Sequence, residues 1–390
     1  MTFSPPFFST EILTQITTSG YTTPTPIQLQ AIPPILNGSD VIGLAQTGTG
    51  KTAAFVLPIL QRLSTGKHGL LRAIIVAPTR ELAEQINDTI RILGKRTGLK
   101  STTIYGGVNM KRQVDILRSG IDIVVACPGR VLDHIKQRTI NLATTEILVL
   151  DEADQMFDMG FLPTIKEILK HVPQRRQTLL FSATMPPEIR KLAAAILKAP
   201  VTVEVAHTLA KESISHTFFP VISPLKTELL LALLESTETR SVLIFTRTKH
   251  KAKALDQKLQ KRGYKSASLQ GNLSQNRRQA ALNGFRDGEF NIMVATDIAA
   301  RGIDISKVSH VINFDLPDTF EAYVHRSGRT GRAEHNGESF SLVTPEDKEI
   351  QSIIQRKLGA EIATRYLDTF DYDRPFAAPT SKPKNRPRRS

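Results

Sequence analysis

The stretch whose reading decides the fold is Ile147-Leu148-Val149-Leu150-Asp151-Glu152-Ala153-Asp154. Its first four residues are too continuously apolar to alternate faces, which predicts a short strand buried on both sides, as in a parallel sheet. Three carboxylates then follow within four residues and repel one another. Such a cluster is tolerable only where cations or hydrogen-bond donors wait, as at the carboxyl edge of an open α/β sheet. Read alone, the quartet is more commonly a solvated acidic turn. Ala45-Gln46-Thr47-Gly48-Thr49-Gly50-Lys51-Thr52, upstream, decides between the two. It is a phosphate loop of the Walker A kind, with Ala45 where the pattern usually opens on Gly. Together the stretches imply a nucleoside triphosphate, Mg²⁺ and hydrolysis.

At 390 residues, the chain is long enough for two domains, each with its own core. Hydrophobic content of 40% and charged content of 23% are those of a soluble globular protein. A net charge of +14 points to a polyanionic partner, nucleic acid first among them. The single cysteine, Cys127, excludes an intrachain disulfide and any metal site built from cysteines. Residues 1–10 lack the basic start and apolar stretch of a secretory signal, and runs such as Leu229–Leu234 are too short to span a bilayer. The expected setting is therefore the cytoplasm.

Strands and helices alternate along the chain. An amphipathic helix is expected over Ser9–Gly20, and Thr25-Pro26-Ile27-Gln28 opens the next one. Two readings of Gln28 stand at this point. It can complete a capping box with Thr25, with Pro26 in the first turn, or its amide can contact an adenine edge. Strands are expected at Val41–Ala45, Arg72–Ala77, Ile121–Ala126 and Thr178–Phe181, with helices between them. Repeated strand-turn-helix units predict a parallel, doubly wound sheet. The alternation lapses around 205–223, and residues 206–223 are taken as a linker between a first domain, 1–205, and a second, 224–372. Strands at Ser241–Phe245, Ser266–Gln270, Asn291–Ala295 and Val308–Asn313 make the second domain α/β as well. From Asp373 to Ser390 six Lys or Arg stand against one Asp among several prolines, a composition expected to be disordered.

The phosphate loop works through backbone N–H groups, which Gly48, Thr49 and Gly50 bring close to phosphate. Lys51 supplies a point charge, and the Thr52 hydroxyl is a Mg²⁺ ligand. Asp151 can hold Mg²⁺ directly or through its waters, and Glu152 is placed to deprotonate the attacking water. In the second half, Asp318–Arg332 begins as a helix in which His325, Arg329 and Arg332 follow at spacings of four and three. Arg329 and Arg332 are read as arginine fingers reaching the γ-phosphate. The bland alternative is a solvated basic surface.

These motifs, in this order, resemble the DEAD-box RNA helicases over nearly the whole chain, from Phe3 and Gln28 to His325–Arg332. The order and the short basic tail look most like the bacterial RhlE-type group. The resemblance implies two RecA-like domains that close on ATP between them and on single-stranded RNA across both. It implies that Phe3 stacks on adenine and Gln28 selects it. Ser182 and Thr184 would bond Asp154 and couple hydrolysis to closure, with His325 meeting that network from the second domain. Gly302 and Asp304 would lie at the ribose. RNA contacts would come from Arg80, Gly107, Pro128, Gly129 and Arg130, then from Thr246, Gly271, Gln275, Arg278 and Thr296. Sugar and phosphate recognition of this kind tolerates sequence and senses the 2′-OH.

Three positions depart from the family pattern. Cys127 stands for Thr, Gln270 for His and Ser327 for Ile. The expected activity is ATP-dependent RNA unwinding, with ribosomal particles or RNA-decay machinery as the family's partners. Rival readings are a DNA-directed helicase, and a nucleotide-gated RNA clamp with the same catalytic residues.

Overall fold

Every strand among the described residues runs parallel to its neighbours, because each return within a sheet passes through a helix rather than a tight turn. The computed structural model describes residues 7–46, 48–205, 214–237, 240–300, 308–331, 337–359 and 362–374. These form two compact units. In the first, the strands are β1 (Val41–Leu44), β2 (Ala73–Val76), β3 (Ser101–Ile104), β4 (Ile123–Ala126), β5 (Ile147–Leu150), β6 (Gln177–Ser182) and β7 (Val201–Glu204). The second holds β8 (Ile214–Pro220), β9 (Val242–Phe245), β10 (Ser266–Leu269), β11 (Ile292–Ala295), β12 (His310–Asn313), β13 (Gly337–Val343) and β14 (Ala363–Thr364).

The spatial orders are β3-β4-β2-β5-β6-β1-β7 and β10-β11-β9-β12-β13-β8-β14. Counted from the first strand of each unit, these are the same permutation. The two units are thus one doubly wound, RecA-like fold used twice. The apolar runs explain the double winding. In the first unit Ile75, Ile147, Val149, Leu179 and Phe181 pack into a core on one face of the sheet. Their chain neighbours Ile74, Leu148, Leu150 and Leu180 build a second core on the other. A strand apolar on both faces must be covered on both.

Two expectations need correction. The segment 206–223 is not wholly a linker, since Ile214–Pro220 is strand β8, paired in register with β13 and flanked by β14. Its Ser215, His216 and Thr217 made it read as irregular, although Phe218 and Phe219 are buried. The helix expected over Asp318–Arg332 is Phe320–Ser327, so Arg329 lies in the turn beyond it rather than on a helical face. Strands β3, β7, β13 and β14 were not anticipated. Residues 375–390, most of the basic tail, lie outside the described residues.

Beneath helix Phe320–Ser327, the sheet is polar. Ser339 and Ser341 share one face of β13, and register places them opposite Val311 and Asn313 of β12. Ser327 Oγ lies 3.0 Å from Ser339 Oγ, Asn313 Nδ2 donates to Ser341 Oγ at 3.1 Å, and His216 Nδ1 is 2.9 Å from Tyr323 Oη. Burial holds His216 at about 4, below its ordinary value, so the fold favours the neutral ring. The stability this represents is intact above the unfolded value and is lost as pH falls from there toward the folded one. Chemical denaturation at pH 7 and pH 5 should show the second unit losing about 1–2 kcal/mol. The His216→Gln variant should show a flatter slope.

Candidate functional site

Strand β1 ends at Leu44 and the phosphate loop follows it directly, with Ala45 N–H donating to Ser182 O of β6 at 3.0 Å. Gly48 and Gly50 both take positive φ, +85° and +93°, which only glycine adopts cheaply. Gly50 is constrained a second way. A Cβ there would stand 2.5 Å from Gln28 Nε2 and 2.9 Å from Thr25 Oγ1. Helix Lys51–Leu63 starts at the lysine, so its unbonded N–H groups face the loop, the arrangement that receives phosphate. Lys51 is buried and its Nζ donates to Ala45 O at 2.8 Å.

Gln28 is buried against this loop. Its Oε1 accepts from Thr25 N at 2.9 Å, the capping contact, while Nε2 donates to Gly50 O at 3.1 Å. An amide can make four hydrogen bonds, so capping leaves one N–H and one lone pair uncommitted by these two contacts. The capping role is therefore compatible with adenine recognition.

The acidic quartet leaves β5, whose other neighbour is β2 and which pairs with β6. Asp151 accepts from Glu152 N at 3.0 Å. Burial pushes its carboxyl up to about 7, with the charge of Lys51 opposing the rise. Glu152 is buried with φ +51° and ψ +53°, a left-handed conformation that costs a non-glycine residue of order 1 kcal/mol and gathers at functional sites. The Asp154 carboxylate is held by donors: Oδ2 accepts from Ala183 N at 3.2 Å, Thr184 N at 2.8 Å and Thr184 Oγ1 at 2.9 Å, and Oδ1 accepts from Gln155 N at 3.0 Å. Asp154 N in turn donates to Ser182 Oγ at 3.1 Å. The ends of β5 and β6 are thereby locked together.

Beyond β5, the sheet carries a different set. Thr79 follows β2 and caps helix Arg80–Leu93, accepting from Leu82 N at 3.3 Å. After β3 comes the Gly106-Gly107 turn. Gly107 has φ +81°, and a Cβ on it would stand 2.4 Å from the Arg80 guanidinium. Helix Pro128–Lys136 follows β4 with Gly129 exposed. Arg130 Nη1 donates to Gln113 Oε1 at 2.9 Å and to Val108 O at 3.3 Å, and Nε lies 3.6 Å from Asp133.

In the second unit Thr246, fully buried, follows β9, with N–H donating to Ala295 O at 2.9 Å. Gly271 is exposed with open space around it. Gln275 opens helix Gln275–Arg286. Arg278 is buried and donates to Gln270 O and Ala299 O, both at 3.3 Å. Thr296 is half-buried next to Asp297. His325 is half-buried and Arg329 is buried. Phe3, Gly302, Asp304 and Arg332 lie outside the described residues.

Known proteins share this layout. Residues 25–192 match the DEAD/DEAH box helicase family and residues 225–334 the helicase conserved C-terminal domain. The chain is 42% identical over 361 residues to the DEAD-box ATP-dependent RNA helicase RhpA of Helicobacter pylori, covering 92% of this chain and 73% of that protein. It is 43% identical over 357 residues to the ATP-dependent RNA helicase CshA of Limosilactobacillus reuteri, covering 91% and 72%. Saccharomyces cerevisiae Dbp5 bound to RNA and ADP BeF3 superposes with a TM-score of 0.83 at 32% identity, over 93% of this chain and 94% of that one.

The chain is a DEAD-box helicase. It is therefore an enzyme of the ATP-hydrolysing RNA helicases. For Mg²⁺ the donor set fits. Among the described residues no three acidic, His or Cys side chains cluster as a metal cage, but this ion is held by one or two side chains plus substrate phosphates. Thr52 in the first turn of its helix and Asp151, a buried carboxylate raised by burial, are such a pair.

The departures from the family pattern have physical readings. Cys127 is the N-cap of helix Pro128–Lys136 and makes no side-chain cap bond, which a threonine could. Burial pushes its thiol up to about 12, which disfavours the thiolate. Gln270 Oε1 accepts from Asn272 N at 2.8 Å and closes its own turn. Ser327 Oγ lies 3.0 Å from Ser339 Oγ, a hydrogen bond that an isoleucine could not make.

What sequence reasoning missed in this DEAD-box chain is Arg326. It is buried, and its Nε and Nη2 grip Asp297 at 2.5 and 2.7 Å. Nη1 donates to Asn313 Oδ1 at 3.1 Å and Asp315 O at 2.7 Å, while the guanidinium lies 4.9 Å from the Phe245 ring centroid. One side chain thus ties together the ends of β9, β11 and β12. The available signal was Asp297, a lone acid beside the strand-end Thr296. Arg326→Ala leaves a carboxylate short of its partner and should lower the stability of the second unit by about 3 kcal/mol. Urea unfolding followed by circular dichroism checks this.

Proposed function

We propose that this helicase separates short RNA duplexes locally and uses ATP to gate its grip on one strand. The observation that carries the reading is the division of the sheet edge. The phosphate loop, the acidic quartet and Ser182–Thr184 lie at the ends of β1, β5 and β6, which are neighbours in the sheet, whereas Arg80, Gly106-Gly107 and Pro128-Gly129-Arg130 follow β2, β3 and β4. Nucleotide and RNA therefore bind one face of the fold side by side, without overlap.

In this reading Gly48, Thr49, Gly50 and Lys51 bind the phosphates, Gln28 reads the adenine with Phe3 stacked on it, and Gly302 and Asp304 meet the ribose. Thr52 and Asp151 would hold Mg²⁺, which would supply positive charge beside the phosphates. Glu152 takes the proton of the attacking water. Arg329 and Arg332 stabilise the charge that develops on the γ-phosphate, which requires the two units to close on ATP. Asp154, bonded to Ser182 and Thr184 and approached by His325, carries that closure to the RNA residues. Thr246, Gly271, Gln275, Arg278 and Thr296 complete the RNA surface with Arg80, Gly107 and Arg130. A strand clamped in a bent form cannot remain paired. Placement with the RhlE-type group, and ribosomal particles or RNA decay as the setting, belong to the same proposal. Dbp5, solved with RNA and ADP BeF3, supports the choice of ligands.

The test is steady-state ATP hydrolysis with single-stranded RNA, with matched DNA and with neither. RNA alone should stimulate turnover. Glu152→Gln should lower kcat by about a hundredfold or more, the loss of one general base. Equal stimulation by DNA would move the reading to a DNA-directed helicase, and ATP-dependent RNA binding with negligible turnover would move it to a clamp.

A further inference from the structure

The helix Met110–Arg118 buries a single side chain, and that side chain is polar: Gln113. Its Nε2 donates to Tyr105 O at 3.0 Å, immediately before the Gly106-Gly107 turn. Its Oε1 accepts from Arg130 Nη1 at 2.9 Å and faces His134 Nε2 at 3.1 Å. An amide oxygen opposite Nε2 requires a proton on that nitrogen. The other ring nitrogen, Nδ1, lies 2.8 Å from Thr139 Oγ1 and His134 is fully buried, so the ring has no alternative partner in solvent.

The two ends of this amide thus hold Arg130 and the residue before the Gly106-Gly107 turn. Arg80 and Arg130 both bring a guanidinium nitrogen within 4 Å of where a Gly106 Cβ would stand, at 3.8 and 3.9 Å. Two planar cations beside a turn without side chains is a setting for a phosphodiester. We propose that Gln113 is a positioning residue for RNA binding by the first unit, aiming Arg130 and holding the Gly106-Gly107 turn between the two guanidinium groups. The inference rests on the RNA-helicase reading above. Gln113 acts through Arg130 and touches neither nucleotide nor RNA.

The experiment is a double-mutant cycle on the full chain with Gln113→Ala and Arg130→Ala. Binding is read by anisotropy of a fluorescein-labelled oligouridine, and ATP turnover is titrated with the same RNA. Gln113→Ala should raise the half-saturating RNA concentration about five- to tenfold, the worth of one charge-assisted hydrogen bond, with kcat at saturation within about twofold of wild type. In the Arg130→Ala background the same change should add less than about twofold, since coupled residues are not additive. If Gln113→Ala does not fold, Gln113→Met preserves length without the hydrogen bonds and is read instead. Unchanged half-saturation, or fully additive effects, overturns the inference while leaving the helicase reading intact. A wild-type chain that neither binds the RNA nor responds to it removes both.

Discussion

A parallel sheet delivers the carboxyl end of every strand to one edge, and strand order alone decides which loops become neighbours. Here the order puts β1 beside β6 and β6 beside β5, so the phosphate loop, Ser182 and Asp151–Asp154 meet although 28 to 137 positions separate them. The same order sends the loops after β2, β4 and β3 to the other half of the edge. The second unit repeats the permutation, with Thr246, Gly271 and Thr296 following β9, β10 and β11. One topological solution, used twice, accounts for where nearly every motif of the described chain lies.

The edge also concentrates charge in a place of low dielectric, and each unit resolves that in its own way. In the first, Asp154 is held by donors from Ala183, Thr184 and Gln155, while Asp151 is pushed up to about 7 by burial beside Lys51 and Glu152. In the second, Arg326 is one of the buried charges, and it is matched by Asp297 and two carbonyl oxygens. Breaking such a pair costs more than forming it gains, because the remaining charge stays buried. The hydroxyl contact between Ser327 and Ser339 beside it belongs to the same polar seat for the helix that precedes Arg329.

The fold class was legible because Ile147–Leu150, Ala73–Val76 and Val242–Phe245 are apolar on both faces, a pattern with few alternatives. Strands β3, β8 and β13 were not legible. Ser101-Thr102-Thr103, Ser215-His216-Thr217 and Ser339–Ser341 place polar residues in strands, and the partners that satisfy them are remote in sequence. The phosphate loop and acidic quartet could be placed because a continuous motif carries its own geometry. Arg326 and Gln113 act through contacts spread over three or more elements, which no local spacing records. Gln113 did leave a trace, as the one polar residue on the apolar stripe of Met110, Gln113 and Leu117. The helical spacing of His325 and Arg329 misled, because the helix ends at Ser327.

The central claim is that one sheet edge is divided between nucleotide and RNA. Hydrogen exchange on the full chain, with a non-hydrolysable ATP analogue alone and with single-stranded RNA alone, tests it most directly. The analogue should protect the loops after β1, β5 and β6, and RNA should protect those after β2, β3, β4, β9, β10 and β11. Protection of the phosphate loop by RNA alone, with no change at Gly106-Gly107 or Pro128–Arg130, would contradict it.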